Sequence, residues 1–221
     1  FNMSNILVNE EGIKFKLNIN NNSYVIKSNL LGEFNCYNLL LFISILYLLG
    51  EFDYYKLINF LEQNLKVDGR MEIFKYNKKS IIVDYAHTPD GMEKVLEFIA
   101  EVYKKNIVVI FGCGGNRDKY KREIMGDIAS LYGDYLILTN DNPRDEEELD
   151  IINDIIKGVT TKYKIIPNRK DAIDYGINLL NTYDVLVILG RGNEEYIKIK
   201  DKLIPFNDIK YIKEIMDAKQ W

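Results

Sequence analysis

The sequence predicts an α/β fold built on a mostly parallel sheet with helices on both faces, and two observations predict it. From residue 80 onward, short apolar runs alternate in strict turn with longer amphipathic stretches. The short runs, such as Ile81–Val83, Ile107–Phe111 and Val185–Leu189, are apolar throughout. Uninterrupted apolar strands are typical of a sheet covered on both faces, and their alternation with helices favours parallel pairing.

Each element after residue 80 is assigned from the spacing of its apolar residues. Strands are predicted at Ile81–Val83, Ile107–Phe111, Tyr135–Thr139, near Ile165 and at Val185–Leu189. Helices are predicted between them, with apolar faces that begin at Met92, Ile124, Leu149 and Ala172.

The beginning of the chain follows a different pattern. Between residues 5 and 31, short stretches alternate apolar and polar residues between Asn and Gly clusters, which predicts strands joined by hairpins. An apolar run, Leu39–Leu49, and an amphipathic stretch from Tyr54 to Leu65 predict two helices. Asp68-Gly69 punctuates the chain, so we predict two domains, residues 1–68 and 69–221.

Composition restricts the class of protein. The 221 residues are 47% apolar and 28% charged, as in an ordinary soluble globular protein. A net charge of -4 and a pI near 5.3 argue against a nucleic-acid binder, which would carry a basic face. Cys36 and Cys113 are too few for a disulfide framework, which favours a reducing cytoplasm. The run Leu39–Leu49 is too short to span a bilayer, and Phe1 leads us to expect that the start belongs to a longer protein.

Loops rich in glycine or polar residues follow three of the predicted parallel strands. They are Gly112–Asp118, Asp141–Arg144 and Gly190–Glu194. Because the carboxyl ends of parallel strands share one edge of a sheet, we expect these loops to lie together where open α/β folds bind ligands. Their charged groups suit a zwitterionic ligand, since guanidinium binds carboxylate and carboxylate binds ammonium: Arg117, Arg122, Arg144, Arg191 and Glu194.

The turn Asp141-Asn142-Pro143-Arg144 is the most informative of these segments. Pro143 fixes its own φ and favours an extended Asn142, so the Asn142 amide and the Arg144 guanidinium extend from a stiff turn. A guanidinium binds a carboxylate through two parallel hydrogen bonds, which favours Arg144 as the ligand of a small acidic or amino-acid substrate. In the alternative interpretation, Asp141 and Asn142 cap the next helix and Arg144 is solvated.

Other motifs have structural explanations beside the functional ones. The Gly112–Gly115 loop is either a phosphate cradle or a tight strand-to-helix turn, and the sequence contains no Walker A loop. Asp84, at a strand end, either accepts a ribose hydroxyl or caps the next turn. Cys113 is predicted to be a structural thiol and His87 a hydrogen-bonded turn residue.

No metal site is predicted, because no His and Cys cluster has zinc spacing. The acidic run Asp145–Glu148 is interpreted as the first turn of a helix whose dipole it complements.

Taken together, several segments resemble the Mur ligase family, and within it the ligases that add the third amino acid of the peptidoglycan precursor. The segments keep the family's order and spacing from about residue 32. They are Gly69-Arg70-Met71-Glu72, Val83-Asp84-Tyr85-Ala86-His87-Thr88-Pro89-Asp90, Phe111–Lys119, Lys121-Arg122, Met125-Gly126, Asp141-Asn142-Pro143-Arg144, Gly190-Arg191-Gly192-Asn193-Glu194 and Ile204-Pro205-Phe206.

The resemblance implies a fold and a reaction. It implies a Rossmann-like C-terminal domain preceded by the tail of a central ATPase domain. In the family, ATP phosphorylates the carboxylate of a UDP-MurNAc-dipeptide, and the amino group of the incoming amino acid attacks the acyl phosphate. ATP and Mg²⁺ would be bound mostly by the central domain, whose Walker A loop is missing here. The resemblance therefore implies a fragment of a cytoplasmic ligase, with no catalytic residue of its own and no nucleic-acid or membrane partner.

The resemblance also implies site residues. Asn142 and Arg144 would bind the distal carboxylate of a diamino acid, in a pocket completed by Arg122, Gly190 and Glu194. The nucleotide would be contacted by Arg70 and Asp84. The Asn-Pro-Arg turn resembles that of the diaminopimelate-adding members. The chemistry agrees, because lysine has no second carboxylate for Arg144 to hold.

Departures from the family pattern keep alternatives open. Arg191 and Asn193 stand where the family has Lys and His, and Asn116 stands where it has Asp. Both meso-diaminopimelate and lanthionine satisfy the proposed groups. A non-catalytic Rossmann-like module that serves a separate P-loop chain is the main alternative. A folate-polyglutamate ligase is disfavoured by the Asn-Pro-Arg turn, and a dinucleotide oxidoreductase by the missing glycine fingerprint.

Overall fold

The computed structural model describes residues 1–63, 65–76 and 78–218. They form two compact units, Phe1–Val67 and Asp68–Trp221, and this division falls one residue before the predicted boundary. No helix in the described part of the chain is both long enough and apolar enough to cross a membrane.

The first unit combines a small antiparallel sheet with two helices. Its strands are β1 (Asn2–Asn9), β2 (Gly12–Ile19) and β3 (Asn22–Ser28), and its helices are α1 (Phe34–Leu48) and α2 (Tyr54–Glu62). The alternating apolar residues of β2 and β3 pack against Cys36, Leu39 and Ile43 of α1. Asp53 begins α2 by accepting a hydrogen bond from the Lys56 amide.

The second unit is built on a sheet whose strands lie in the order β4-β5-β9-β6-β7-β8. The strands are β4 (Glu72–Tyr76), β5 (Lys79–Asp84), β6 (Ile107–Phe111), β7 (Tyr135–Leu138), β8 (Tyr163–Ile165) and β9 (Val185–Leu189). Among the described residues, β4 pairs antiparallel and the other strands pair in parallel. The predicted mostly parallel α/β sheet is therefore confirmed, with an antiparallel edge that the sequence did not predict.

Helices cover both faces of this sheet. They are α3 (Pro89–Tyr103), α4 (Tyr120–Tyr132), α5 (Glu148–Ile156), α6 (Arg169–Leu179) and α7 (Asp208–Ala218). Apolar residues of α6 and α7 pack on one face, against a cluster that includes Ile81, Val108 and Leu186. Helix α4 packs between α3 and α5. Because parallel strands are joined by right-handed crossovers, these three helices cover the opposite face of the sheet.

The strand order determines where ligand groups gather. The chain reaches β9 last and inserts it between β5 and β6, so β9, β6 and β7 are neighbours. Their carboxyl ends share one edge, and the loops that follow them lie side by side. A hairpin of β10 (Tyr196–Ile199) and β11 (Lys202–Pro205) follows β9. The sequence did not predict this hairpin, whose residues are mostly exposed.

Candidate functional site

Asn142 is the centre of the polar edge. Its side chain is buried, and its Nδ2 atom donates hydrogen bonds to Asp141 Oδ1 and to Glu194 Oε2, both at 2.8 Å. Its Oδ1 atom accepts hydrogen bonds from the Lys198 amide at 2.8 Å and from Arg191 Nη1 at 3.4 Å. The Asn142 amide therefore joins the loop after β7, the loop after β9 and the β10 strand.

The backbone of Arg144 is attached to the same hairpin strand. The Arg144 amide donates to Lys198 O at 3.0 Å, and the Lys200 amide donates to Arg144 O at 2.7 Å. Arg144 has a φ of 53°, in the left-handed region that costs a side chain energy, so these two bonds hold a strained residue in place. The turn is therefore restrained by the hairpin as well as by Pro143.

Only part of the hydrogen-bonding capacity of the Arg144 guanidinium is used. Its Nη1 atom donates to Gly115 O at 2.9 Å and to Asn142 O at 3.2 Å. Within the described residues, its Nε and Nη2 atoms make no hydrogen bond, and the side chain is half-buried. Two nitrogen atoms of a fixed guanidinium, with three N–H groups between them, are thus left for an anion, which is the arrangement that binds a carboxylate through two parallel hydrogen bonds.

Glycine is required where the loop after β6 approaches this turn. A Cβ atom on Gly115 would lie 1.8 Å from Pro143 O, and one on Gly114 would lie 2.7 Å from Arg144 Nη1. The Gly115 amide donates to Asn142 O at 2.9 Å. At Gly115, the loop is therefore a tight turn packed on the next loop, and this amide is not free for phosphate.

Gly190 and Glu194 complete the edge from the β9 side. Gly190 has a φ of 109°, and a Cβ atom there would lie 2.8 Å from Asp141 Oδ2. The Glu194 side chain is 33% exposed. Its Oε2 atom is bonded to Asn142 and Arg191, whereas its Oε1 atom has no hydrogen bond among the described residues. A carboxylate oxygen is therefore available for a cation.

The environment of Arg122 differs from the one expected of a residue that binds a ligand. Its side chain is 0% exposed and lies in α4. Its Nη atoms donate to Glu146, to Asp154 and to Gly114 O, over 3.0–3.3 Å. The structure therefore does not bring the Arg122 guanidinium to the surface of the edge, and direct contact with a ligand would require these ion pairs to open.

Glu146 is the partner that fixes Arg122. It also accepts hydrogen bonds from the Asn116 amide and from Lys119, so it joins the loops after β6 and β7. The hydrogen bonds from Arg122 lower the pKa of Glu146 to about 2 against the opposing effect of burial. The interpretation of the acidic run as a first helical turn is wrong for Glu146, because α5 begins at Glu148.

Arg117 is the exposed guanidinium of the loop after β6. Among the described residues its one hydrogen bond is a long one, from Nη1 to Asn116 O at 3.4 Å. A Cβ atom on Gly114 would lie 3.7 Å from Arg117 Cγ and 2.7 Å from Arg144 Nη1, so both arginine side chains pass close to Gly114. The sequence analysis placed Arg117 at the edge and assigned Arg122 to the pocket. The apolar spacing of α4 puts Arg122 on the same side as Met125, and this spacing could have indicated that Arg122 is buried.

The two candidate nucleotide residues lie beside β5. Asp84 is buried, and its carboxylate accepts hydrogen bonds from the amides of Met71 at 2.8 Å and Ala86 at 2.7 Å. Burial raises the pKa of Asp84, although both amides oppose that shift. The Arg70 guanidinium is exposed and lies 4.2 Å from the centre of the Tyr85 ring. Asp84 thus organises the backbone, as in the capping interpretation, and Arg70 is the group open to a ligand.

The remaining candidates have structural environments. Cys113 is buried, and burial raises the pKa of its thiol to about 12, which disfavours the thiolate form. His87 is exposed, with Nδ1 2.9 Å from Tyr85 O, as expected for a turn residue. In the part of the chain that the structure describes, no group of His, Cys, Asp and Glu is arranged to hold a metal ion.

Comparisons with known proteins show the family of the chain. Residues 69–192 match the family described as "Mur ligase, glutamate ligase domain". A UDP-N-acetylmuramoyl-L-alanyl-D-glutamate–2,6-diaminopimelate ligase from Wigglesworthia glossinidia brevipalpis is 46% identical over 93% of this chain and 42% of its own length. The enzyme of that name from Syntrophomonas wolfei subsp. wolfei is 39% identical over 95% of this chain and 44% of its own length.

A solved structure of a ligase of the same name shares the fold. It has a TM-score of 0.69 and 31% identity, and the match covers 99% of this chain and 45% of that one. The chain thus spans less than half the length of the relatives that it matches.

Proposed function

The chain belongs to the Mur ligase family, and we propose from this that it is the C-terminal part of an ATP-dependent ligase that adds a diamino diacid to UDP-MurNAc-L-Ala-D-Glu. The observation that carries the proposal is that two side chains of opposite charge both contact Asn142. Arg144 and Glu194 each contact Asn142, and each keeps hydrogen-bonding capacity that no described residue uses. A guanidinium and a carboxylate fixed by one residue suit the carboxylate and the ammonium of an amino acid.

The guanidinium side of the site selects the substrate class. Arg144 offers Nε and Nη2 from a fixed turn, and the Arg117 side chain also passes close to Gly114, with an almost free guanidinium. A ligand with a second carboxylate forms hydrogen bonds with these N–H groups. Lysine would displace water from them without replacing the lost hydrogen bonds, which costs binding free energy. Both meso-diaminopimelate and lanthionine carry this carboxylate, and they are the substrates that we propose.

The other candidate residues contribute by orientation. Asn142 already uses both N–H groups and its oxygen, so it contacts a ligand directly only by releasing Asp141 or Glu194. Arg122 anchors Gly114 through its carbonyl and thereby places the loop that carries Arg117. Gly190 gives the chain the left-handed conformation that turns Glu194 toward the edge.

The reaction requires groups that lie outside this chain. ATP and Mg²⁺ supply the phosphoryl transfer that activates the dipeptide carboxylate, and the chain has no Walker A loop to bind them. The edge described here would hold one end of the diamino acid, so that the neutral amine of the other end attacks the acyl phosphate. The C–N bond of the amide forms, the C–O bond to phosphate breaks, and phosphate leaves with the proton that the amine gives up. Exposed Arg70, stacked on Tyr85, is our candidate for contact with the nucleotide, and Asp84 holds the Met71 backbone beside it.

The first unit supports the proposal that a larger protein surrounds it. Helix α1 is apolar on all sides, and beside its buried face it exposes Leu41 by 63% and Leu48 by 80%. A helix of that kind belongs to an interior. We therefore propose that residues 1–67 are the end of a central ATPase domain, completed by other parts of a cytoplasmic polypeptide.

The test is an amide-ligase assay with the complete polypeptide that contains this chain. We would supply ATP, Mg²⁺ and UDP-MurNAc-L-Ala-D-Glu, and compare meso-diaminopimelate, lanthionine, lysine and glutamate. Incorporation of the two diamino diacids supports the proposal. Preference for lysine or glutamate, or no incorporation, would overturn it. A stable product of 221 residues in cell extracts would favour the alternative of a separate module.

A further inference from the structure

Arg191 is a buried arginine whose guanidinium holds four acceptors. Its side chain is 0% exposed. Nη1 donates to Asn142 Oδ1 at 3.4 Å and to Glu194 Oε2 at 3.3 Å, and Nη2 donates to Tyr196 O at 2.9 Å and Phe206 O at 3.2 Å. Removing a charged group from water is costly, and hydrogen bonds to well-placed acceptors are what offsets that cost.

Two of these acceptors belong to the candidate ligand site. Arg191 and Asn142 both bind the Oε2 atom of Glu194. The carboxylate is therefore held by one oxygen, and Oε1 remains without a hydrogen bond among the described residues. A carboxylate held in this way presents its second oxygen in one direction, which lowers the entropy cost of binding a cation there.

The other two acceptors lie at the two ends of the hairpin. Tyr196 begins β10, and Phe206 follows β11. The same hairpin holds the Arg144 backbone through Lys198 and Lys200. One guanidinium thus fixes both the carboxylate that is free for a cation and the strand that places the Arg144 turn.

The planar guanidinium is suited to this task. Its N–H groups point along a fixed fork and reach two side chains and two carbonyls at once, whereas a lysine ammonium is a point charge with three donors. Arg169 lies close enough to act on the Arg191 charge, and Glu194, Asp208 and Asp141 oppose this repulsion. A lysine at position 191, with three donors on one nitrogen, could not make all four of these contacts.

We propose that Arg191 is a positioning residue of the diamino-acid site. It turns Glu194 so that Oε1 receives the ammonium of the ligand. This inference rests on the proposed function, since it concerns the same site.

The test is a double-mutant cycle in the complete polypeptide, with Arg191→Lys, Glu194→Gln and the double variant. Arg191→Lys should raise the KM for meso-diaminopimelate about tenfold, as expected for the loss of one charge-assisted hydrogen bond, without changing the KM for ATP. Glu194→Gln should raise it at least as much. If Arg191 acts through Glu194, the double variant should be no worse than Glu194→Gln alone.

Arg169→Lys is the matched control. Arg169 is also buried, but it binds Asp208 and two backbone carbonyls and no side chain of the site. This variant should lower the unfolding temperature and leave the KM for the diamino acid unchanged. Arg191→Gln, which is shorter and carries no charge, provides a second cycle if Arg191→Lys does not fold.

The outcomes separate the two proposals. Effects of Arg191 and Glu194 that multiply in the double variant would overturn the positioning role, as would an Arg169→Lys variant with the same rise in KM. A normal KM in both Arg191 variants, with a raised KM in Glu194→Gln, would overturn this inference and leave the proposed function standing. A wild-type polypeptide that adds no diamino acid would instead overturn the proposed function and this inference with it.

Discussion

The side-chain amide of Asn142 donates a hydrogen bond to Glu194 over 2.8 Å, although the two residues are 52 positions apart in the sequence. The same amide accepts the Lys198 N–H, so it joins three segments of the chain with one planar group. The arrangement makes Asn142 a structural hub of the site as well as a candidate ligand.

Replacement of Asn142 by Ala should therefore destabilise the second unit. The change removes the hydrogen bonds of Asn142 to the Lys198 amide and to Asp141 Oδ1, and leaves Arg191 Nη1 and Glu194 Oε2 with only each other. Buried polar groups that lose a partner in this way cost about 2 to 3 kcal/mol together. Urea denaturation measures the loss. Asn140→Ala is the control, because the Asn140 side chain makes no hydrogen bond within the described residues, and it should cost less than about 0.5 kcal/mol. Equal effects of the two variants would contradict the hub.

Glu146 should make stability depend on acid pH. Its pKa falls from 4.5 to about 2 in the folded protein, mainly through Arg122. A carboxyl group whose folded pKa is lowered stabilises the fold above its unfolded pKa, and this contribution disappears as the pH falls through the folded value. Glu146→Gln should therefore cost about 2 to 3 kcal/mol near neutral pH, as an upper value, and progressively less between pH 4.5 and 2.

The measurement is the free energy of unfolding of wild type and variant across that pH range. Glu147→Gln is the matched control, since the Glu147 side chain is 77% exposed and lies 4.0 Å from its nearest cation. It should change stability little at any pH. A Glu146→Gln difference that stays constant from pH 7 to pH 2 would refute the ion-pair explanation.

The buried pair of Arg169 and Asp208 should be much more sensitive than an exposed pair. Arg169 Nη2 lies 2.7 Å from Asp208 Oδ2, and both side chains are almost fully buried. Asp208→Ala leaves a buried guanidinium without its carboxylate and should cost about 3 to 5 kcal/mol. Asp184→Ala removes the half-exposed partner of Lys79 and should cost less than about 1 kcal/mol. Urea midpoints of the two variants that coincide would be the contrary result.

The sheet was predictable because its strands are locally distinctive. Ile81–Val83, Ile107–Phe111 and Val185–Leu189 are apolar throughout, and each lies in a strand of the sheet. The position of β9 between β5 and β6 was not predictable, since it depends on pairings between distant segments. The β10–β11 hairpin was missed for a related reason: it is stabilised by its contacts with Asn142, Arg144 and Arg191, which lie elsewhere in the sequence.

The site was predictable as a set of loops but not residue by residue. The loops that carry Arg117, Arg144 and Glu194 follow neighbouring strands, as their positions after apolar runs predict. Whether an arginine in such a loop is free depends on its partners. Arg122 and Arg117 lie five positions apart, yet Arg122 is paired with Glu146 and Asp154 from other segments while Arg117 is exposed. No local pattern shows that difference, and the roles assigned to the site residues stay predictions.

The most direct measurement of the central claim is the affinity of the complete polypeptide for meso-diaminopimelate and for lysine, in the wild type and in Arg144→Gly. Glycine suits this position because the φ of Arg144 is 53°, so the variant removes the guanidinium and retains the backbone. Lys104→Gly, at a φ of 47° far along the chain, controls for the backbone effect of glycine.

Calorimetry would be carried out with UDP-MurNAc-L-Ala-D-Glu and a non-hydrolysable ATP analogue present. We expect the wild type and Lys104→Gly to bind meso-diaminopimelate at least about 100-fold more tightly than lysine, because lysine leaves the guanidinium unpaired. Arg144→Gly should bind both amino acids equally weakly. Equal affinity of the wild type for the two amino acids, or an unchanged preference in Arg144→Gly, would contradict the claim that Arg144 holds the second carboxylate.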